Sequence, residues 1–124
     1  MSEEMDSILL SVKKMLGVPM NYDVFDLDII THINSVFEIL NQMGLGPEAG
    51  FTISDETTKW SEFTTYEKES QMVRSYIYLK VRTLFDPPSN ASLFNVFDSQ
   101  LKEKEWRLLI FADELRLKAE KENT

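Results

Sequence analysis

The fold is decided by residues 24–44, VFDLDIITHINSVFEILNQMG. Leu27, Ile30, Ile33, Phe37, Leu40 and Met43 recur at helical spacing and share one broad face, and Ile29, Val36 and Ile39 extend that face sideways. A helix apolar over so much of its circumference should be buried on more than one side. The chain around it is therefore read as a helical bundle.

Upstream, SILLSVKKMLG places Ile8, Leu9, Val12, Leu16 and Met15 at helical spacing, and Gly17 supplies a left-handed cap. Val18-Pro19 blocks easy continuation. The polar connection Asn21 to Asp23 then leads to a new helix near Val24, with Asp23 as its cap and Asp26 favouring its positive end.

Downstream, Gly44, Gly46, Pro47 and Gly50 terminate that helix. FTISDETTKWSEFTTYEK, rich in Thr and aromatics, reads as an irregular or short-hairpin excursion near residues 48–68, in which Ser54-Asp55-Glu56 could also open one helical turn. From about Glu69 a third long helix puts Val73, Tyr76, Ile77, Lys80, Val81 and Leu84 on one face, and Arg74, Tyr78 and Arg82 toward another.

Asp86-Pro87-Pro88 stops this helix, because each proline disfavours the helical conformation of its predecessor, and Ser89, Asn90 or Ser92 can cap the next one. The last helix then runs to about Lys121, on the order of 45 Å at 1.5 Å per residue. Its seam begins with Leu93, Phe97, Leu101 and Leu108, continues through Leu109, Phe111, Ala112, Leu115 and Leu117, and ends in a charged tail, residues 118–124, expected to fray. The expectation is an all-α fold: one domain over residues 1–124, a small bundle of about four helices with a long C-terminal helix that outruns its neighbours.

Composition narrows the function. The 124 residues carry 21 acidic and 13 basic side chains, a net charge of -8, so the average surface repels phosphate and binding of nucleic acid by charge alone is disfavoured. There is no cysteine, which removes disulfides, thiolate metal sites and cysteine nucleophiles and gives no sign of an oxidising compartment. The start, MSEEMDS, is acidic where a secretory signal is basic, so an intracellular, unprocessed chain is expected.

Chemical motifs are thin. His32 is the only histidine, so no paired-histidine metal site can form. Asp23, Asp26 and Asp28 lack the glycine and bidentate glutamate of a calcium loop. GLGPEAG puts Pro47 and Glu48 where a phosphate cradle needs donors. No nucleophile-elbow motif accompanies the serines. No catalytic residue, cofactor or metal site is expected.

What remains is apolar surplus. Phe94 and Phe97 cannot share one inward direction with Phe111 and Leu117 on a straight helix, which leaves apolar surface for a neighbour. Phe94 is the candidate interface residue that this surplus supplies, and most of the other aromatics, Trp106 and Phe111 among them, are expected in the core.

The segments SILLSVKKMLG, FDLDIITHINSVFEILNQMGLGP, SYIYLKVRTLFDPP and KEWRL, in this order and spacing, resemble the tailed-phage head-tail connector family. The similarity covers residues 7–47 and 75–109, is looser over 48–74 and lapses after about Asp113. The resemblance implies a structural subunit without enzymatic activity or cofactor, located at the head-tail junction of the virion and in the host cytoplasm during assembly. It implies a ring of copies beneath the portal protein that completes the head, lets DNA through its lumen without sequence-specific binding, and offers a surface to a stopper or tail-completion protein. It also suggests contact with the portal through the C-terminal helix, with Trp106, Leu109, Phe111 and Leu115 as the candidate interface set against the plainer reading that Trp106 and Leu109 complete the core, and makes Asp86, Pro87 and Pro88 a candidate rigid corner. The rival is an acidic helical regulator that imitates DNA toward a basic partner.

Overall fold

The structure is a computed structural model that describes residues 6–123. Its elements are α1 (Ile8–Leu16), α2 (Asp26–Met43), the single turn α3 (Trp60–Phe63), α4 (Glu67–Phe85) and α5 (Ala91–Glu122), with no strand among the described residues. The acidic start Met1–Met5 and Thr124, at the end of the tail expected to fray, lie outside the described residues.

Local chemistry sets most helix ends. Ser7 caps α1 by accepting from the Leu10 amide at 3.2 Å. Gly17 closes α1 in the left-handed region at φ 78, and the amide after it, Val18 N–H, bonds back to Lys13 O at 2.9 Å. α2 starts at Asp26, two residues later than expected, and Asp23 contributes its backbone carbonyl to the turn and no side-chain cap. The cause lies across the elbow. Lys13, 1% exposed, donates to Met20 O at 3.0 Å and Tyr22 O at 2.8 Å and pairs with Asp26 at 2.8 Å, so its ammonium gathers the whole α1–α2 connection.

The core-facing stripe of α2 is Ile29, Ile33, Val36, Phe37 and Leu40, all buried, with Ile30 and Met43 at its margin. Leu27, expected on this face, is 76% exposed, because the seam runs through Ile29 and leaves Leu27 on the far side of the first turn. α4 is the central helix and touches each of the other four. It buries Val73, Tyr76, Ile77 and Val81, whereas Leu84, near its end, emerges from the core.

The excursion is irregular, and no hairpin forms in it; among the described residues its one β-type pairing is an isolated bridge between Ser7 and Lys59. Side chains hold it down instead. The Asn34 amide donates to Ile53 O at 2.9 Å and accepts from Ile53 N–H at 2.8 Å, satisfying both backbone groups of a buried residue. Phe37, Phe51 and Phe63 pack as a ring cluster with centroids 4.9 to 5.3 Å apart. Trp60 is buried and donates its indole N–H to Ser11 Oγ at 3.0 Å. The helical turn sits at Trp60–Phe63 instead of at Ser54-Asp55-Glu56, where Asp55 accepts from the Thr57 amide in a bend. Gly46 approaches Phe63 so closely, at φ 79, that a Cβ there would run into the ring.

Candidate assembly surface

α5 has 32 residues, about 48 Å at 1.5 Å per residue. It starts where expected, because Asn90 Oδ1 accepts from the Leu93 amide at 3.2 Å. It continues as helix to Glu122 through the charged segment, where Arg116 pairs with Glu120 at 2.9 Å.

The corner before it is tied by one residue. Asp86, the last position before the prolines, leaves the helical region at φ -143 and ψ 73. Arg82 donates to Asp86 O at 2.9 Å, and its guanidinium lies 5.9 Å from the Phe97 ring centroid on α5. Arg82 thus spans from the end of α4 to the start of α5 across Pro87 and Pro88.

Further along, α5 is fastened to α4 by two polar contacts. Tyr76 donates its hydroxyl to Glu105 at 2.6 Å, and Lys104 donates to Ser75 Oγ at 2.6 Å. Burial, reinforced by the bond to the Glu105 carboxylate and its charge, pushes the Tyr76 phenol well above its ordinary value. The apolar part of the same seam is Leu101, Leu108, Phe111 and Ala112, all buried.

The candidate residues separate by helical phase. Phe111 points inward, 4% exposed, against Tyr66 at 5.8 Å and beneath the Lys68 ammonium at 5.6 Å. It is a core residue that supports the surface and is not part of it. Leu115 is partly buried against the core. Trp106, at 62% exposure, and Leu109, at 49%, point away from it, so they do not complete the core of a single copy. Phe94 is also exposed, near the corner.

Sequence reading missed Ile110, which lies four residues beyond Trp106, and gave Leu117 to the inner seam. Both are exposed. Trp106, Ile110 and Leu117 therefore form an outer stripe, flanked by Leu109, on the side of α5 opposite Leu101, Leu108 and Ala112. The i, i+4, i+11 spacing was visible, but it was hidden inside a longer run of apolar residues. A second apolar area, also unread, gathers Tyr22, Val24, Leu27 and Leu84 around the edge-to-face contacts of Phe25 with Tyr22 and Phe85.

The chemistry these surfaces offer is association. Among the described residues no group of three His, Cys, Asp or Glu is placed to hold a metal ion, and no helix is long and apolar enough to cross a membrane. A helix with apolar residues on two opposite sides is solvated on one of them only until a neighbour covers it.

The chain matches the family model described as phage connector protein over residues 8–114. The match begins at the first residue of α1 and ends as the charged part of α5 begins. No curated protein and no solved structure is significantly similar to the chain. The match takes in every helix of the bundle, both ends of the Asp86-Pro87-Pro88 corner and most of the outer stripe. The chain belongs to the phage connector protein family and is a structural component of a bacteriophage virion.

Proposed function

We propose that this connector assembles as a ring of copies beneath the portal, completes the DNA-filled head and carries the surface on which a stopper or tail-completion protein docks. The observation that carries this reading is the exposed outer stripe of α5, Trp106, Ile110 and Leu117, on a helix whose other side is already packed. A closed ring needs two different, complementary faces on each subunit. The stripe provides one apolar face, and the area around Tyr22, Val24, Leu27 and Leu84 is well removed from it in sequence and provides surface for another contact.

In this reading the Asp86-Pro87-Pro88 corner, braced by Arg82, sets the angle at which α5 leaves the bundle. The net charge of -8 suits a lumen through which DNA passes, since favourable contacts with many phosphates would retard it. The family supports a structural role over that of an acidic regulator, and no catalytic role is proposed. Sedimentation of the purified protein with and without portal rings tests the assignment. Co-migration as a discrete ring-sized species is expected; a chain that stays monomeric beside portal rings overturns it.

A further inference from the structure

One cavity is chemically at odds with the rest of the molecule. A groove of about 510 Å³ opens where α4 and α5 run alongside each other near the end of α1. Met15, Tyr78, Leu79 and Phe97 form its apolar lining, and Arg74, Arg82 and Lys104 supply its charge; among the described residues no carboxylate lines it. On a chain with 21 acidic residues, a basic apolar groove is a local inversion.

Its cations are weakly neutralised. Lys104 donates to Ser75 Oγ, and Arg74 donates to Ser70 Oγ at 3.1 Å and stacks 5.1 Å from the Trp60 ring; neither forms an ion pair among the described residues. Arg82 meets the Asp86 carboxylate only at 3.8 Å, with both side chains well exposed. An acidic occupant would find these charges available.

We infer that this groove receives the outer stripe of α5 from a second copy of the chain. The stripe has the matching chemistry. Between Ile110 and Leu117 it carries Asp113, exposed and only 3.8 Å from its nearest cation, Arg116, and Glu114 beside it is exposed as well. Apolar side chains would enter the Met15, Tyr78, Leu79 and Phe97 floor while these carboxylates meet Lys104 and Arg74. Two copies that each carry a charge of -8 repel on average, so self-association needs a place where the sign is locally reversed, and this groove is one.

The geometry is also head-to-tail. The groove uses Phe97, Gln100 and Lys104 of α5, which flank its packed side, whereas Trp106, Ile110 and Leu117 occupy the opposite side. One copy cannot satisfy itself, and each contact leaves a free groove and a free stripe for the next. The inference rests on the proposed ring and specifies which surfaces join.

Because the natural chain has no cysteine, a double variant Gln100→Cys with Ile110→Cys gives a clean test under oxidation, at high concentration and on portal rings. A ladder of covalent multimers is expected from the double variant, with dimers at most from either single variant. No ladder from a double variant that still forms rings on the portal overturns the groove assignment and leaves the ring intact. Failure of the natural protein to join portal rings overturns both readings. A cross-link from the groove only to portal or to a tail component overturns the second-copy occupant. In an independent arm, Lys104→Glu and Asp113→Lys should each raise the concentration for half-assembly at least tenfold, and mixing the two should restore it, because alternating copies then present complementary charges at every joint. Equal loss in the mixture overturns the pairing.

Discussion

Trp106 and Phe111 lie five residues apart on α5 and should behave oppositely when truncated. Phe111 is 4% exposed among Tyr66 and the α4 side of the bundle, so Phe111→Ala removes a buried ring and leaves a cavity, costing about 3–5 kcal/mol of folding stability. Trp106 is 62% exposed, and Trp106→Ala should change the stability of the free chain by no more than about 0.5 kcal/mol. Its cost should appear on assembly. Of the roughly 250 Å² that a tryptophan can bury, the exposed share is about 150 Å², worth on the order of 4 kcal/mol at 25 cal/mol per Å² if a partner covers it fully. Ordering and imperfect packing reduce this, and a loss near 2 kcal/mol corresponds to roughly a 30-fold weaker joint. Urea denaturation of the free protein and sedimentation with portal rings measure the two quantities separately. If Trp106→Ala lowers the urea-derived stability by about 2 kcal/mol or more, the indole is already packed within one copy and the division of α5 into an inner and an outer side is refuted. Unchanged assembly with unchanged stability would remove Trp106 from the interface.

Contacts elsewhere in the bundle give further expected outcomes. Lys13→Met strands the Met20 and Tyr22 carbonyls and leaves Asp26 without its cation, and denaturant midpoints should report a loss of about 3–5 kcal/mol; a near-neutral result would mean the α1–α2 elbow does not depend on the ammonium. Asn34→Leu leaves both backbone groups of Ile53 unpaired, for about 1–3 kcal/mol, with faster amide exchange confined at first to residues near Ile53. Gly46→Ala adds a Cβ at positive φ against Phe63 and should lower the melting temperature, whereas Gly50→Ala, with open space at its Cβ, should do so less. Tyr76 has a folded-state pKa raised above the ordinary 10.0, so the stability it contributes is whole below pH 10 and is lost as pH rises beyond it; absorbance titration of wild type against Tyr76→Phe should show the Tyr76 phenol ionising only with unfolding.

The helix ends were legible because they are decided within a few residues. Gly17 after an apolar run, the glycine cluster from Gly44, the Asp86-Pro87-Pro88 stop and Asn90 ahead of α5 all act through local backbone geometry, and each falls where the sequence places it. The Asp23 cap failed for a reason no local rule contains: Lys13, from another helix, drew the elbow together through Met20, Tyr22 and Asp26.

The excursion over residues 48–68 was legible only as irregular or hairpin-like because its order comes from distant partners. Asn34 stands in for a neighbouring strand at Ile53, and Ser11 receives the Trp60 indole, contacts separated by 19 and 49 residues. Composition rich in Thr and aromatics cannot distinguish backbone pairing from pairing with a side chain.

Residue pattern and composition alone describe an acidic, cysteine-free, all-helical chain with a long last helix, a proline corner and more apolar residues than one core can take. They could not say which of those residues were surplus. Leu27 and Ile29, or Trp106 and Phe111, are equally apolar, and periodicity identifies sides of a helix without saying which side meets a neighbour. Only the placement of α4 at the centre, touching every other helix, settled that Ile29 and Phe111 go in while Leu27, Trp106, Ile110 and Leu117 stay out. The physical reason is that burial belongs to the space between helices, and that space exists only once all of them are packed.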